Sequence, residues 1–201
     1  MKYVLLRALA AGLSLAVLAG TAQAEDDPHI RGKITAIEGA TYSVESASGQ
    51  LIEVKLADDA TVLLYTPLEL SDVKPDDYLG IPSAPLADGG KRALAVIVFP
   101  AAMRGINEGD SAWDLVPGSR MTNATLAEVT ANDGTGRLSV SYGDESEEIV
   151  VPAGTPVVTF ATAPGRKIVV GEQAIFFAQQ VDGAYTAGLV GVSEDGSLPP
   201  L

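Results

Sequence analysis

The chain has 201 residues with 26 Asp and Glu against 13 Lys and Arg, a net charge of −13, one His and no Cys. So acidic a surface repels the phosphate backbones whose neutralisation drives nucleic-acid binding, which argues against a nucleic-acid partner. The absence of Cys removes disulfides and thiol nucleophiles, and a single His leaves little material for a Ser-His-Asp arrangement.

The first 24 residues carry Lys2 and Arg7, then the apolar run "ALAAGLSLAVLA", then Ala22-Gln23-Ala24. A basic start, a short apolar stretch and an A-x-A end form a cleavable signal peptide, predicting a periplasmic or secreted protein that begins at Glu25. No later stretch approaches the roughly 20 apolar residues of a membrane span. His29, five residues past the predicted cleavage, reads as part of a free N-terminal arm.

From there the pattern is β. "GKITAIEGATYSVES" at 32–46 reads as a hairpin, and in "LIEVKL" Ile52, Val54 and Leu56 alternate with Glu53 and Lys55, the period of two that buries one strand face. "VKLADDATV" at 54–62 reads as a strand, a polar turn and a second strand. "LSDVKPDDYL" predicts one helical turn, capped by Ser71 and stopped by Pro75. "YLGIPSAPLADGGKRALAVIVF" reads as a strand pair, with "ALAVIVFP" apolar at both parities, as a strand buried on both faces would be. A second hairpin, "NATLAEVTANDGTGRLSVS" at 123–141, turns through "NDG" at 132–134. "SYGDESEE" follows as a turn with a solvated acidic face. "IVVPAGTPV" and the pair "QAIFFAQQVDGAYTAGLVGV" close the chain. Tyr42 and Tyr142 sit at apolar parity and read as core.

The two halves repeat. "VKLADDATV" aligns with "IVVPAGTPV" 95 residues later, with a hairpin before each and a strand pair after. The expected fold is all-β: two small OB-like β-barrels from an internal duplication, the first at 25–103 and the second at 121–201.

Residues 104–120 join them, and "RGINEGDSAWDLVPGS" holds the only Trp. Two readings stay open. In one, the segment is an ordered clasp: Trp113 and Leu115 bury against both barrels and Arg104 pairs with Asp114. In the other, Asn107, Glu108, Asp110 and Asp114 supply hard oxygen ligands to Ca or Mg, with Gly105 and Gly109 letting the backbone wrap the ion. "NDGTG" and "DGSLPP" lack calcium-loop spacing and read as turns. The Asn-Ala-Thr triplet at 123–125 matches a glycosylation acceptor, though such triplets are frequent by chance.

The motifs Arg104-Gly105, Glu108-Gly109, Trp113-Asp114-Leu115, Pro117-Gly118-Ser119 and Met121-Thr122-Asn123 make the chain resemble an exported bacterial family of unknown function with tandem OB-like domains. The resemblance spans the chain after its leader. It departs at Asp110, where similar sequences have His, and at Glu194, where they have a basic residue. Members are sometimes labelled metal-transporter permeases, a function that would need spanning helices absent after the leader. The function expected is an exported, non-catalytic binding or structural module whose small ligand or protein partner is unknown. The alternatives are a periplasmic divalent-cation binder and, behind it, a carboxylate-dependent hydrolase.

Overall fold

The computed structural model describes residues 28–87, 89–132 and 135–201; the predicted signal peptide and part of the 132–134 turn lie outside them. The fold is all-β, and no helix among the described residues is long and apolar enough to cross a membrane.

One five-stranded barrel closes on itself. Strands β1 (His29–Glu38), β2 (Thr41–Glu45) and β3 (Leu51–Leu68) form an antiparallel meander. The last two strands, β12 (Gln173–Val181) and β13 (Ala184–Ser193), complete it. β13 runs parallel to β3 and antiparallel to β12, and β12 pairs with β1. A second ring repeats this order. Its meander is β8 (Arg120–Asn132), β9 (Thr135–Tyr142) and β10 (Glu145–Val151). β5 (Lys91–Ala93) runs parallel to β10, and β4 (Tyr78–Pro85) joins β5 to β8. Both meanders carry a register shift at the same place, between Ile34 and Ala36 and between Leu126 and Glu128. Closure removes exposed edges from each ring.

This pairing corrects the expected boundaries. Each ring takes its meander from one half of the chain and its closing strands from the other, so neither 25–103 nor 121–201 contains a complete barrel. The cause is local. No Gly or Pro interrupts residues 51–66, and β3 continues for 18 residues where a polar turn was expected. Residues 57–60 are absorbed as a bulge, with Ala187 opposite Leu56 and Leu189 opposite Thr61. The long strand carries the chain out of its own barrel, and β4 and β5 then close the other ring. In the second half Pro152 and Pro156 break the equivalent run into β10 and β11 (Val157–Thr162).

Between the rings, β11 lies antiparallel to the far end of β3 and parallel to β6 (Val96–Val98). Tyr65 and Phe160, separated by the 95 residues at which the halves align, face each other in this ladder, with ring centroids 5.4 Å apart. Each ring has its own apolar core. The junction has a third, built on Tyr65, Ile97, Met121, Phe160 and Ile175. Tyr42 and Tyr142 are half-buried and pack against the ring cores, in keeping with their parity. The predicted helical turn is a 3-10 turn at Leu70–Asp72 capped by Glu69, not Ser71: Asp72 and Glu69 bond reciprocally across it.

Candidate functional site

Residues 101–119 fold over the junction. A 3-10 turn (Ala101–Met103) leads to β7 (Gly109–Ala112), which pairs with β8. A closed turn follows. Ser119, buried, donates its hydroxyl to the Trp113 carbonyl (2.9 Å) and accepts the Val116 N–H (3.1 Å), while the Trp113 N–H donates to the Ser119 carbonyl (2.9 Å). Gly118 supplies the left-handed residue this turn requires, at φ +75°. The Pro117-Gly118-Ser119 motif therefore fixes Trp113 in place.

Trp113 packs against His29 with the rings tilted by 40° and their centroids 4.3 Å apart, and His29 meets Phe177 edge-on at 5.1 Å. Asp114 accepts from Arg31 Nη2 (2.6 Å) and from the His29 backbone N–H (3.3 Å), and lies 3.0 Å from His29 Nδ1. Partial burial pushes the Asp114 carboxyl upward, but the hydrogen bonds and charges of His29 and Arg31 outweigh this and hold it well below the usual carboxylate range. His29 is thus part of β1 and of the docking contact, not of a free arm.

The expected Arg104–Asp114 pair is also corrected: Arg104 bonds the carbonyl of Asp76 and approaches its carboxylate at 3.5 Å. Leu115 is half-buried and joins none of the three cores. Trp113 and Asp114 carry the docking on the first barrel.

On the second ring the anchor is Asp110. It pairs with Arg120 and, at 3.1 Å, with Lys91, which also reaches Glu147 at 2.7 Å. The Thr122 hydroxyl lies 2.9 Å from Glu147 and 3.1 Å from Asp110. Burial raises the Asp110 carboxyl, yet hydrogen bonds and charge from Arg120 and Lys91 bring it net below its ordinary value. Glu147, expected on a solvated face, is four-fifths buried in this cluster. Glu108 accepts the Gly143 N–H (3.2 Å). The three acids offered as cation ligands are therefore separated, each engaged by a different protein group. Among the described residues no three His, Asp or Glu side chains converge as a metal-binding group.

Beneath this segment lies a cavity of about 220 Å³. Leu63, Tyr65, Ile97, Met121 and Phe160 line it from the junction, and Met103, Ile106, Asn107 and Trp113 from the covering segment. Among the described residues no Asp, Glu, Lys, Arg or His side chain lines it.

Two buried polar atoms in its wall lack a partner: Asn123 Oδ1 and Trp113 Nε1. Asn123 is only 7% exposed. Its Nδ2 donates to the Asn107 carbonyl (3.1 Å), which settles which end of the amide is the oxygen. That oxygen lies beside Gly80, where an added Cβ would come within 3.0 Å of it and 2.7 Å of the Phe99 ring. Leaving such a group unsatisfied costs about 1–3 kcal/mol.

Arg104, Asn107, Trp113, Leu115 and the three acids were legible candidates in the sequence, and of these Asn107 and Trp113 line the cavity. Asn123 was visible only as part of a glycosylation triplet and of the Met121-Thr122-Asn123 motif, with no site role attached to it. The available signal was an amide in the buried first part of a strand, where a polar residue needs a partner. No known protein family, curated protein or solved structure matches this chain.

Proposed function

We propose that this is an exported, non-catalytic binding module, in which the segment 104–120 acts as a clasp over an apolar ligand cavity at the junction of two OB-like barrels. The observation that carries the reading is the 220 Å³ cavity, whose mostly apolar lining includes Asn123 and Trp113, each with an unpartnered polar atom. An apolar pocket with a few convergent polar groups is the general form of a small-molecule site. Export rests on the leader pattern of residues 1–24. The non-catalytic assignment is supported by the clasp acids, which are engaged in docking outside the cavity.

Toluene is a suitable probe, since a dry cavity of about 150 Å³ already accommodates benzene. It should raise the melting temperature of the whole chain saturably by mass action. Replacing Leu189, a half-buried wall residue, with Trp fills the space and should abolish that rise. A rise of equal size in Leu189→Trp would place binding elsewhere and defeat the assignment.

A further inference from the structure

The chemistry of the cavity wall defines what it selects. Among the described residues no charged side chain lines the cavity to serve an ionised ligand as counter-ion, and an unpaired charge is costly to desolvate, so the ligand is neutral. Its volume admits one ring, or a branched chain of similar bulk, with a few further heavy atoms. The two unpartnered polar atoms of its lining residues are of opposite kind: Asn123 Oδ1 is an acceptor and Trp113 Nε1 is a donor. A hydrocarbon would fill the space and leave both unsatisfied. A group that both donates and accepts would satisfy both.

We propose that the cavity binds a compact neutral molecule with an apolar body and one hydroxyl or primary amide, which donates to Asn123 Oδ1 and accepts from Trp113 Nε1. The inference rests on the binding-module reading and adds the selection rule. Asn123 is well placed for it because its amide is already oriented by the Asn107 carbonyl. Trp113 is similarly held, by the Ser119 turn on its backbone and by the tilted His29 ring beside it. Both polar atoms are thus fixed before a ligand arrives, so little ordering opposes their use.

The test compares benzyl alcohol with ethylbenzene, which has the same shape without the hydroxyl, by calorimetric titration of the whole chain. The wild type should bind benzyl alcohol at least as tightly as ethylbenzene, despite the greater drive of the hydrocarbon to leave water. Asn123→Leu should shift the ratio of the two affinities toward ethylbenzene by about 5- to 100-fold, the cost of leaving the alcohol's buried hydroxyl without its acceptor. Trp113→Phe keeps an aromatic ring, removes the donor and should shift the ratio the same way. It tests the idea even where the leucine variant does not fold. Binding of ethylbenzene in preference to the alcohol by the wild type, or a ratio unchanged in the folded variants, overturns the selection rule and leaves the cavity as a site. Binding of neither molecule overturns both, as expected of a cavity that holds only water.

Discussion

Lys91 sits where the exchange of strands between halves is most exposed to test. It lies on β5, from the first half, and its ammonium is held between Asp110 of β7 and Glu147 of β10, both from beyond residue 103. All three side chains are about four-fifths buried. Replacing Lys91 with Met keeps the aliphatic stem and deletes the charge. Breaking a fully buried pair costs about 3–5 kcal/mol and an exposed pair about 0–1. Here Asp110 retains Arg120 and Glu147 retains the Thr122 hydroxyl, which points to about 2 kcal/mol at neutral pH. The cost depends on pH with a definite sign. Asp110 is held below its ordinary value when folded, so the unfolded chain binds more protons in acid and stability rises with pH. That contribution is present above the unfolded carboxylate range, near pH 4, and is lost as pH falls through the lowered folded value. Urea unfolding followed by circular dichroism at pH 7 and at pH 3 should show the Lys91→Met deficit at neutrality and a much smaller one in acid. An equal deficit at both would mean that Lys91 contributes packing alone, and no deficit at pH 7 would contradict its place between the two strands.

Trp113→Ala should cost about 2 kcal/mol, below the 3–5 of a fully buried aromatic because the ring is only half-buried; thermal unfolding by calorimetry measures it. Asp114→Asn removes a carboxylate held below its usual range by His29 and Arg31, so its destabilisation should be present at pH 7 and fade below about pH 4. With side-chain exposure of 42%, its cost should stay under about 1 kcal/mol. Separately expressed 28–119 and 120–201 should each lack the β circular dichroism of the whole chain and regain it on mixing, since each half lacks the closing strands of its own meander; full independent folding of either piece would refute the exchange. Calcium or magnesium added to the whole chain should leave its melting temperature unchanged, because Glu108, Asp110 and Asp114 are separately engaged; a rise lost in Glu108→Ala with Asp110→Ala would restore the cation-binding reading.

The all-β class and the repeat were legible because alternation such as Ile52, Val54, Leu56 is a local signal, and the 95-residue offset reappears in the Tyr65–Phe160 pair. The exchange was not legible. A period of two says which face of a strand is buried and nothing about which strand lies beside it. The polar stretch 57–60 looked like a turn because Asp is common in turns, yet without Gly or Pro it stayed extended. In the clasp, Trp113 was identified as an anchor from being the only Trp, whereas the partners of Trp113 and Asp114, His29 for both and Arg31 for Asp114, lie more than 80 residues away. Asn123 was hidden for a related reason: an orphaned oxygen is defined by what fails to surround it, and only the folded arrangement shows that.

Because the chain has a single Trp, its amide-correlation NMR spectrum contains one indole resonance, and that resonance reports on the Nε1–H in the cavity wall. Titration of the whole chain with benzyl alcohol should move it saturably downfield as the indole gains an acceptor, and Leu189→Trp, whose second indole signal is assigned by difference, should leave the Trp113 signal still. A Trp113 indole signal that does not respond in the wild type while the calorimeter records binding would contradict the central claim that the ligand lies under the clasp.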